Sequence, residues 1–315
     1  MKCLNQYQTN KTGRKKNKTV RIKKAVSERI FDSCNTIFMI LFCFTILVPF
    51  WDMIVKSFSR PIDISYTKLN LIPPVWTLEA YRYCFRDDAF VGAFGISILR
   101  TVFGTAIHLL CTCMAAYTLT RTELPLRKTI TVYLLIPMFF SGGMIPTYIN
   151  MRNLHLLNNF LVYILPGAFS IYNAIILRNY FFSIDRTIEE AASIDGASSI
   201  RIFFTIILPL SKPVLATVML WQMVGHWNSW FDNMIYCFNN DNLLTLQYYL
   251  RKLQEELTRT PDTPYGLQTM ESAANMSPDT VKAATTVLVI LPIILVYPFL
   301  QKYFVKGIMI GAVKG

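Results

Sequence analysis

The sequence predicts an all-α integral membrane protein with six transmembrane helices and both termini in the cytoplasm. Three observations lead there. Hydrophobic residues make up 53% of the 315 and charged residues only 16%, less charge than a water-exposed surface carries. Several apolar stretches reach about 20 residues, enough to cross a bilayer as a helix. Lys and Arg crowd the N-terminal tail and the short turn after the second stretch, as they do on the cytoplasmic side of membrane proteins.

The elements follow in order. Residues 1–29 form a basic cytoplasmic tail holding Lys11, Arg14, Lys15, Lys16, Lys18, Arg21, Lys23, Lys24 and Arg29. Ahead of a membrane span, such a run sets topology and can touch anionic lipid. The net charge of +12 is therefore read as membrane orientation, and no nucleic-acid partner is expected. Residues 30–315 form one transmembrane domain with spans at 30–55, 92–120, 129–150, 159–182, 210–237 and 282–304. The connection 56–91 carries mixed charge and falls outside. Arg121, Arg127 and Lys128 place the next turn inside, and the 151–158 turn, with Arg152 and His155, falls outside. A polar hairpin at 183–209 is inside, and the loop 238–281 is outside. Lys302, Lys306 and Lys314 put the C-terminus inside.

The outer loop should turn at Asn239-Asn240-Asp241-Asn242, form a helix over 244–258 and break at Pro261–Pro264, because Pro cannot continue a helix. A loop this long is usually functional, and this one is placed to meet a protein that delivers substrate. Pro137, Pro146, Pro166-Gly167, Pro292 and Pro298 fall inside spans, where neighbouring helices can satisfy the freed backbone groups. They read as static kinks, or as hinges of an alternating-access motion. No cleavable signal peptide is evident, since the first apolar run follows a long tail and exceeds a signal core. The seven cysteines form no framework. Cys84 and Cys237 are the pair that could meet outside, and Cys111-x-Cys113 lacks metal-ligand spacing.

The hairpin is the most informative stretch. Thr187 and Glu190 fit a Thr-x-x-Glu capping box. Ile188, Ala191, Ala192 and Asp195 share a small-residue face. Gly196 suits the left-handed position after a helix, and Ser198 suits an N-cap. Ile202, Phe203, Ile206 and Ile207 form the apolar face of the second helix, and Pro209 marks the break before the fifth span. A lipid-surface helix would carry Lys and Arg on its polar face. This one opens with Glu189 and Glu190, which suits a protein groove.

Glu190-Ala191-Ala192, then Gly196, then Ile206-x-Leu208-Pro209 resembles the EAA loop of the membrane subunits of type I ABC importers. Ser141-Gly142-Gly143-Met144-Ile145-Pro146-Thr147-Tyr148, Trp227-Asn228-Ser229-Trp230-Phe231-Asp232 and the ending Phe304–Gly315 look like a carbohydrate-importer permease subfamily. That subfamily includes subunits for lipoprotein-like or complex-polysaccharide uptake. The whole is similar to the smaller permease of the maltose-type importer, with the long basic tail as a departure. The resemblance implies a pore subunit in the bacterial cell membrane. It also implies a second, different permease, a cytoplasmic ATPase dimer that binds ATP and Mg, and an extracellular solute-binding protein. Glu189, Glu190, Ala191, Ala192, Asp195, Gly196, Leu208 and Pro209 would then couple to the ATPase, and Lys314-Gly315 would reach into its dimer.

The fifth span holds Trp221, Gln222, His226, Trp227, Asn228, Ser229, Trp230, Asp232 and Asn233. Polar groups in a span tend to face the bundle interior or a water-filled cavity. Gln222, His226, Ser229 and Asn233 recur at helical spacing as one stripe. Aromatic rings beside hydrogen-bonding groups suit sugars, so these residues are the expected substrate path. Trp227 and Trp230 fit an interfacial belt equally well. Neither a phosphate loop nor a Gly-Lys pair occurs, so no cofactor is expected in this chain. His108, His155 and His226 are widely separated, and no metal site is expected. An oligosaccharide or polysaccharide fragment is the favoured cargo; an amino acid, peptide or phosphonate is the near alternative, and a stand-alone carrier or enzyme the distant one.

Overall fold

The computed structural model describes residues 26–64, 71–259 and 277–312. The basic tail before Val26, the Pro261–Pro264 break and Lys314-Gly315 lie outside the described residues. Among those described, the chain is almost wholly helical, with one isolated bridge between Ser59 and Trp76. Contacts divide it into two units, Met1–Asp52 and Met53–Gly315. The described part of the first is most of helix α1 (Val26–Ser57), which is apolar and exposed along nearly its whole length.

In the second unit, α2 (Glu79–Arg86) leads into α3 (Asp88–Thr118). Asp87 caps α3 by accepting from the Ala89 amide at 2.9 Å. Next come α4 (Arg127–Phe139), α5 (Met144–Asn153) and α6 (Ile171–Phe182). The hairpin is α7 (Arg186–Ile194) and α8 (Ser199–Ile202), continued by a π turn over Phe203–Ile207 and by α9 (Leu208–Leu210). Then follow α10 (Lys212–Asn228), α11 (Phe231–Tyr236), α12 (Leu246–Arg259) and α13 (Pro278–Ala312). Helix α3 is central and packs on α10, α6, α2 and α12, while α10 also packs on α13.

Among the described residues, three helices are long and apolar enough to cross a membrane: Val26–Ser57, Asp88–Thr118 and Asp279–Pro298. Two bent pairs raise the number to five if each is one span. The bends are local backbone chemistry. The third expected span, 129–150, breaks at Phe140–Gly143, where Gly143 takes φ +87° and α5 restarts with a 114° change of direction. Pro146 sits in the first turn of α5, where its missing N–H costs nothing. The fourth, 159–182, is not one helix. A 3₁₀ turn at Phe160–Tyr163 precedes a break containing Pro166-Gly167, and Ser170 then caps α6. The outer helix expected over 244–258 is α12, preceded by a 3₁₀ turn at Asp241–Leu243 that Asn240 caps.

Three local expectations are corrected. The cap of the first hairpin helix is Asp185, not Thr187: its carboxylate accepts the Thr187 amide at 3.0 Å, so Thr187 already lies inside the helix. The break before the fifth span falls at Ser211, not Pro209. Pro209 continues the helix after the π turn, which loosens the backbone where Pro forbids a regular hydrogen bond. Cys84 and Cys237 are not bridged; both are free and buried in different apolar clusters, with Cys84 Sγ 3.4 Å from Thr285 Oγ1.

Candidate functional site

The hairpin is built as a stiff, presented element. The Asp185 carboxylate accepts the Thr187 amide in the first turn of α7, and that backbone N–H holds its carboxyl below the ordinary aspartate range. At the far end, the Gly196 amide donates to Ser193 O and the Ala197 amide to Ala192 O, both at 3.0 Å. With Gly196 at φ +81°, this is a complete Schellman turn, which closes the helix and satisfies its last carbonyls. Ser198 Oγ accepts the Arg201 amide at 3.3 Å and starts α8.

The second arm of the hairpin anchors it. Ile202, Phe203 and Ile207 are buried beside Tyr117, Leu177 and Phe181, with Ile206, Leu208 and Ala192 packed against them. The outer side is open. Glu190, Ala191, Asp195, Gly196 and Pro209 are exposed. Ile194 is 86% exposed and Ile200 72%, an apolar tip that the sequence pattern alone did not single out. Isolated exposed apolar residues are ordinary; here two large ones flank the Gly196 turn, and Ile188, 43% exposed, lies in the first turn of α7. Glu189 differs from Glu190. It is half-buried and pairs with Arg121 at 2.5 Å.

The fifth-span residues separate into two sets. Trp221, 45% exposed, stands 6.5 Å from the Tyr172 ring, and Gln222 is half-buried. Asn228 is exposed and accepts from Gln247 Nε2 at 3.1 Å. Trp230 is half-buried under the Arg251 guanidinium, 3.7 Å from the ring centroid. These four lie near or at the surface of the chain. His226, Trp227 and Asn233 are buried within it. Trp227 Nε1 donates to Val289 O of α13 at 2.9 Å, which makes it a core residue rather than an interfacial ring. Asn233 Oδ1 accepts from the Thr245 amide and hydroxyl at 2.7 and 3.1 Å. The His226 ring lies against Gly104 of α3: a Cβ at that position would sit 2.5 Å from Nε2.

The expected continuous stripe Gln222–His226–Ser229–Asn233 is therefore interrupted. Ser229 is extended (φ −75°, ψ 128°), so α10 stops at Asn228 and α11 begins anew at Phe231. Arg100, in the middle of α3 and only 2% exposed, holds this break. Its guanidinium grips both Asp232 oxygens (3.2 Å to Oδ1), donates to Ser229 O at 3.3 Å and stacks 4.5 Å from the Tyr163 centroid. Asp232 Oδ1 also accepts the Ser229 hydroxyl and the Asn233 amide. Sequence reasoning missed Arg100. The signal was present: a lone Arg in an apolar span needs an acid, and Asp232 is the acid of the fifth. His108 serves the other break, with Nδ1 2.7 Å from Gly167 O and Nε2 accepting from Asn173 Nδ2 at 3.0 Å. Among the described residues, no group of three His, Cys, Asp or Glu gathers to hold a metal.

Comparison with known proteins adds to this geometry. The family profile described as "Binding-protein-dependent transport system inner membrane component" matches residues 19–310. Protein LplC of Bacillus subtilis (strain 168) is 40% identical over 289 residues, covering 91% of this chain and 96% of the relative. The polygalacturonan/rhamnogalacturonan transport system permease protein YtcP of the same organism is 36% identical over 290 residues, covering 92% and 100%. A chain in the crystal structure of a bacterial ABC transporter involved in the import of the acidic polysaccharide alginate superposes with a TM-score of 0.82. It is 33% identical and covers 90% of this chain and 99% of that one.

Proposed function

Since the chain belongs to the family of binding-protein-dependent transport system inner membrane components, we propose that it is the pore-forming subunit of an ATP-driven importer of oligosaccharide or polysaccharide fragments in the bacterial cell membrane. The observation that carries the proposal is the capped hairpin, which leaves Ile194 and Ile200 open on either side of its turn while Ile202, Phe203 and Ile207 of its second arm are buried in the bundle. A rigid element exposing apolar side chains from an otherwise embedded protein suits a partner's groove. In this reading, the hairpin docks into a cleft of a cytoplasmic ATPase dimer, which binds ATP and Mg. Movement of the docked hairpin passes through α9 and the Ser211 bend into α10. All six spans and both cytoplasmic termini belong to the same proposal.

The other partners are a second, different permease and an extracellular solute-binding protein that the 238–281 loop would meet. Lys314-Gly315 would extend towards the ATPase. A saccharide cargo draws support from the relatives' named polysaccharides and from the aromatic and amide groups near the surface of the fifth span. Of the expected path, Trp221, Gln222, Asn228 and Trp230 would line it, with Ser229 held beside them by Arg100 and Asp232. His226, Trp227 and Asn233 would act by holding that wall in place.

Purification from native membrane, with identification of the co-purifying chains and a glycan screen of the binding protein, tests this directly. An ATPase, a second permease and an oligosaccharide ligand are expected. A chain that purifies alone and transports without ATP would refute the proposal. Replacing Glu190 or Gly196 should uncouple uptake from ATP hydrolysis and leave the subunit in the membrane.

A further inference from the structure

We propose that the Glu189–Arg121 ion pair is a latch that carries hairpin motion into α3, so that Glu189 acts inside this chain and Glu190 alone is offered to the partner. The inference rests on the coupling role proposed above. Two adjacent carboxylates of α7 have opposite fates. Glu190 is exposed, whereas the Glu189 side chain is only 16% exposed and meets Arg121 Nη2 at 2.5 Å. Arg121 lies just beyond α3, stacked 4.2 Å above the Tyr117 ring. The Tyr117 hydroxyl donates to the same Glu189 oxygen at 3.5 Å, and its ring lies 5.1 Å from Phe203, in the second arm. One cluster thus touches the end of α3, the first hairpin helix and the second arm.

Other ion pairs among the described residues do not reach the hairpin: Arg82–Glu79 and Arg251–Glu255 each lie along a single helix, and Arg100–Asp232 ties α3 to the fifth span. Glu189–Arg121 bridges residues 68 apart. Apolar packing of Ile202, Phe203 and Ile207 is non-directional, so it permits sliding. A charge-assisted hydrogen bond with a stacked guanidinium is directional. The end of α3 also has its own anchors: Arg178 Nε donates to Leu119 O at 3.2 Å, and Arg127 Nη1 to Thr120 O at 3.3 Å. Removing the Glu189–Arg121 pair therefore cuts the charge-assisted link to α7, while the Tyr117–Phe203 packing on the second arm remains and the α3 terminus stays held.

The test is hydrogen exchange, read by mass spectrometry, on the complete transporter purified with its partner subunits. Nucleotide-free and ADP-vanadate-trapped states are compared for the wild type, E189Q, R121Q and the swap E189R/R121E. In the wild type, trapping should change exchange in both α7 and the C-terminal half of α3. E189Q and R121Q should keep the α7 change and shrink the α3 change about tenfold, within the usual range of allosteric couplings. The swap should restore it to within about twofold. The latch is overturned if the α3 change persists in both single variants, is missing from the wild type while α7 responds, or fails to return in the swap. Loss of the ATPase from purified E189Q or R121Q would also overturn it, by making the pair part of docking or assembly. A wild-type complex with no ATPase, or with an α7 indifferent to nucleotide, would instead sink the coupling role itself.

Discussion

Replacing Asp232 by Asn should destabilise the protein strongly without changing the shape of the side chain. Arg100 is 2% exposed and Asp232 22%, so solvent screens the pair poorly. At 3.2 Å, two unit charges attract by about 5 kcal/mol at an effective dielectric constant near 20. Removing one partner of a buried pair typically costs about 3–5 kcal/mol, because the other charge is stranded. Arg100 would keep Ser229 O and the Tyr163 ring, which argues for the lower end. The assay is thermal unfolding in detergent followed by tryptophan fluorescence, where a loss of about 3 kcal/mol lowers the midpoint by roughly 4–5 °C in a chain of this length. The double replacement R100M/D232L, which removes both charges, should recover much of the loss. A D232N protein melting with the wild type, or a double variant no more stable than D232N, would refute the reasoning.

The other predictions are local. Gly196→Ala meets no neighbour but must hold φ +81°, a conformation that costs about 1–2 kcal/mol with a Cβ; hairpin amides should exchange severalfold faster, and unchanged exchange would count against the turn. Gly104→Ala places a methyl 2.5 Å from His226 Nε2 and should cost about 1–3 kcal/mol by overpacking. His226→Ala in the same chain should relieve the clash, and equal melting of the two variants would exclude it. Because the Asp185 pKa is lowered on folding, its cap stabilises α7 fully above the ordinary value of 3.8 and is lost as pH falls through the folded-state value. Hairpin exchange, corrected for intrinsic rates, should therefore rise on acidification; the Asp185→Asn chain, with no group to protonate, should not show that rise.

Local chemistry was readable and tertiary chemistry was not. Gly196 and Ser198 occupy the positions their residue types suggest, because a left-handed cap and an N-cap depend on a few neighbouring residues. Asp185 was overlooked in favour of Thr187, two residues on, since both types cap and only the backbone decides between them. The apolar lengths gave the bundle. They could not give its interruptions, because Pro inside a membrane helix is compatible with both continuation and rupture. The break at Ser229 is held from α3, by a guanidinium 129 residues away in sequence. No periodicity within the fifth span encodes that, and so a stripe at helical spacing looked continuous. Trp227 was misleading for a related reason: its partner, the Val289 carbonyl, belongs to another helix.

The Arg100–Asp232 pair has an electrical consequence. A lone arginine carried by α3 would feel the membrane potential, at about 2.3 kcal/mol per elementary charge for each 100 mV crossed. With Asp232 bound to it, any rearrangement that moves the two groups together displaces a dipole and no net charge. For this pair, a shift of α3 together with α11 costs the same whether the cell is energised or depolarised. The resting voltage therefore neither helps nor opposes the movement of this pair.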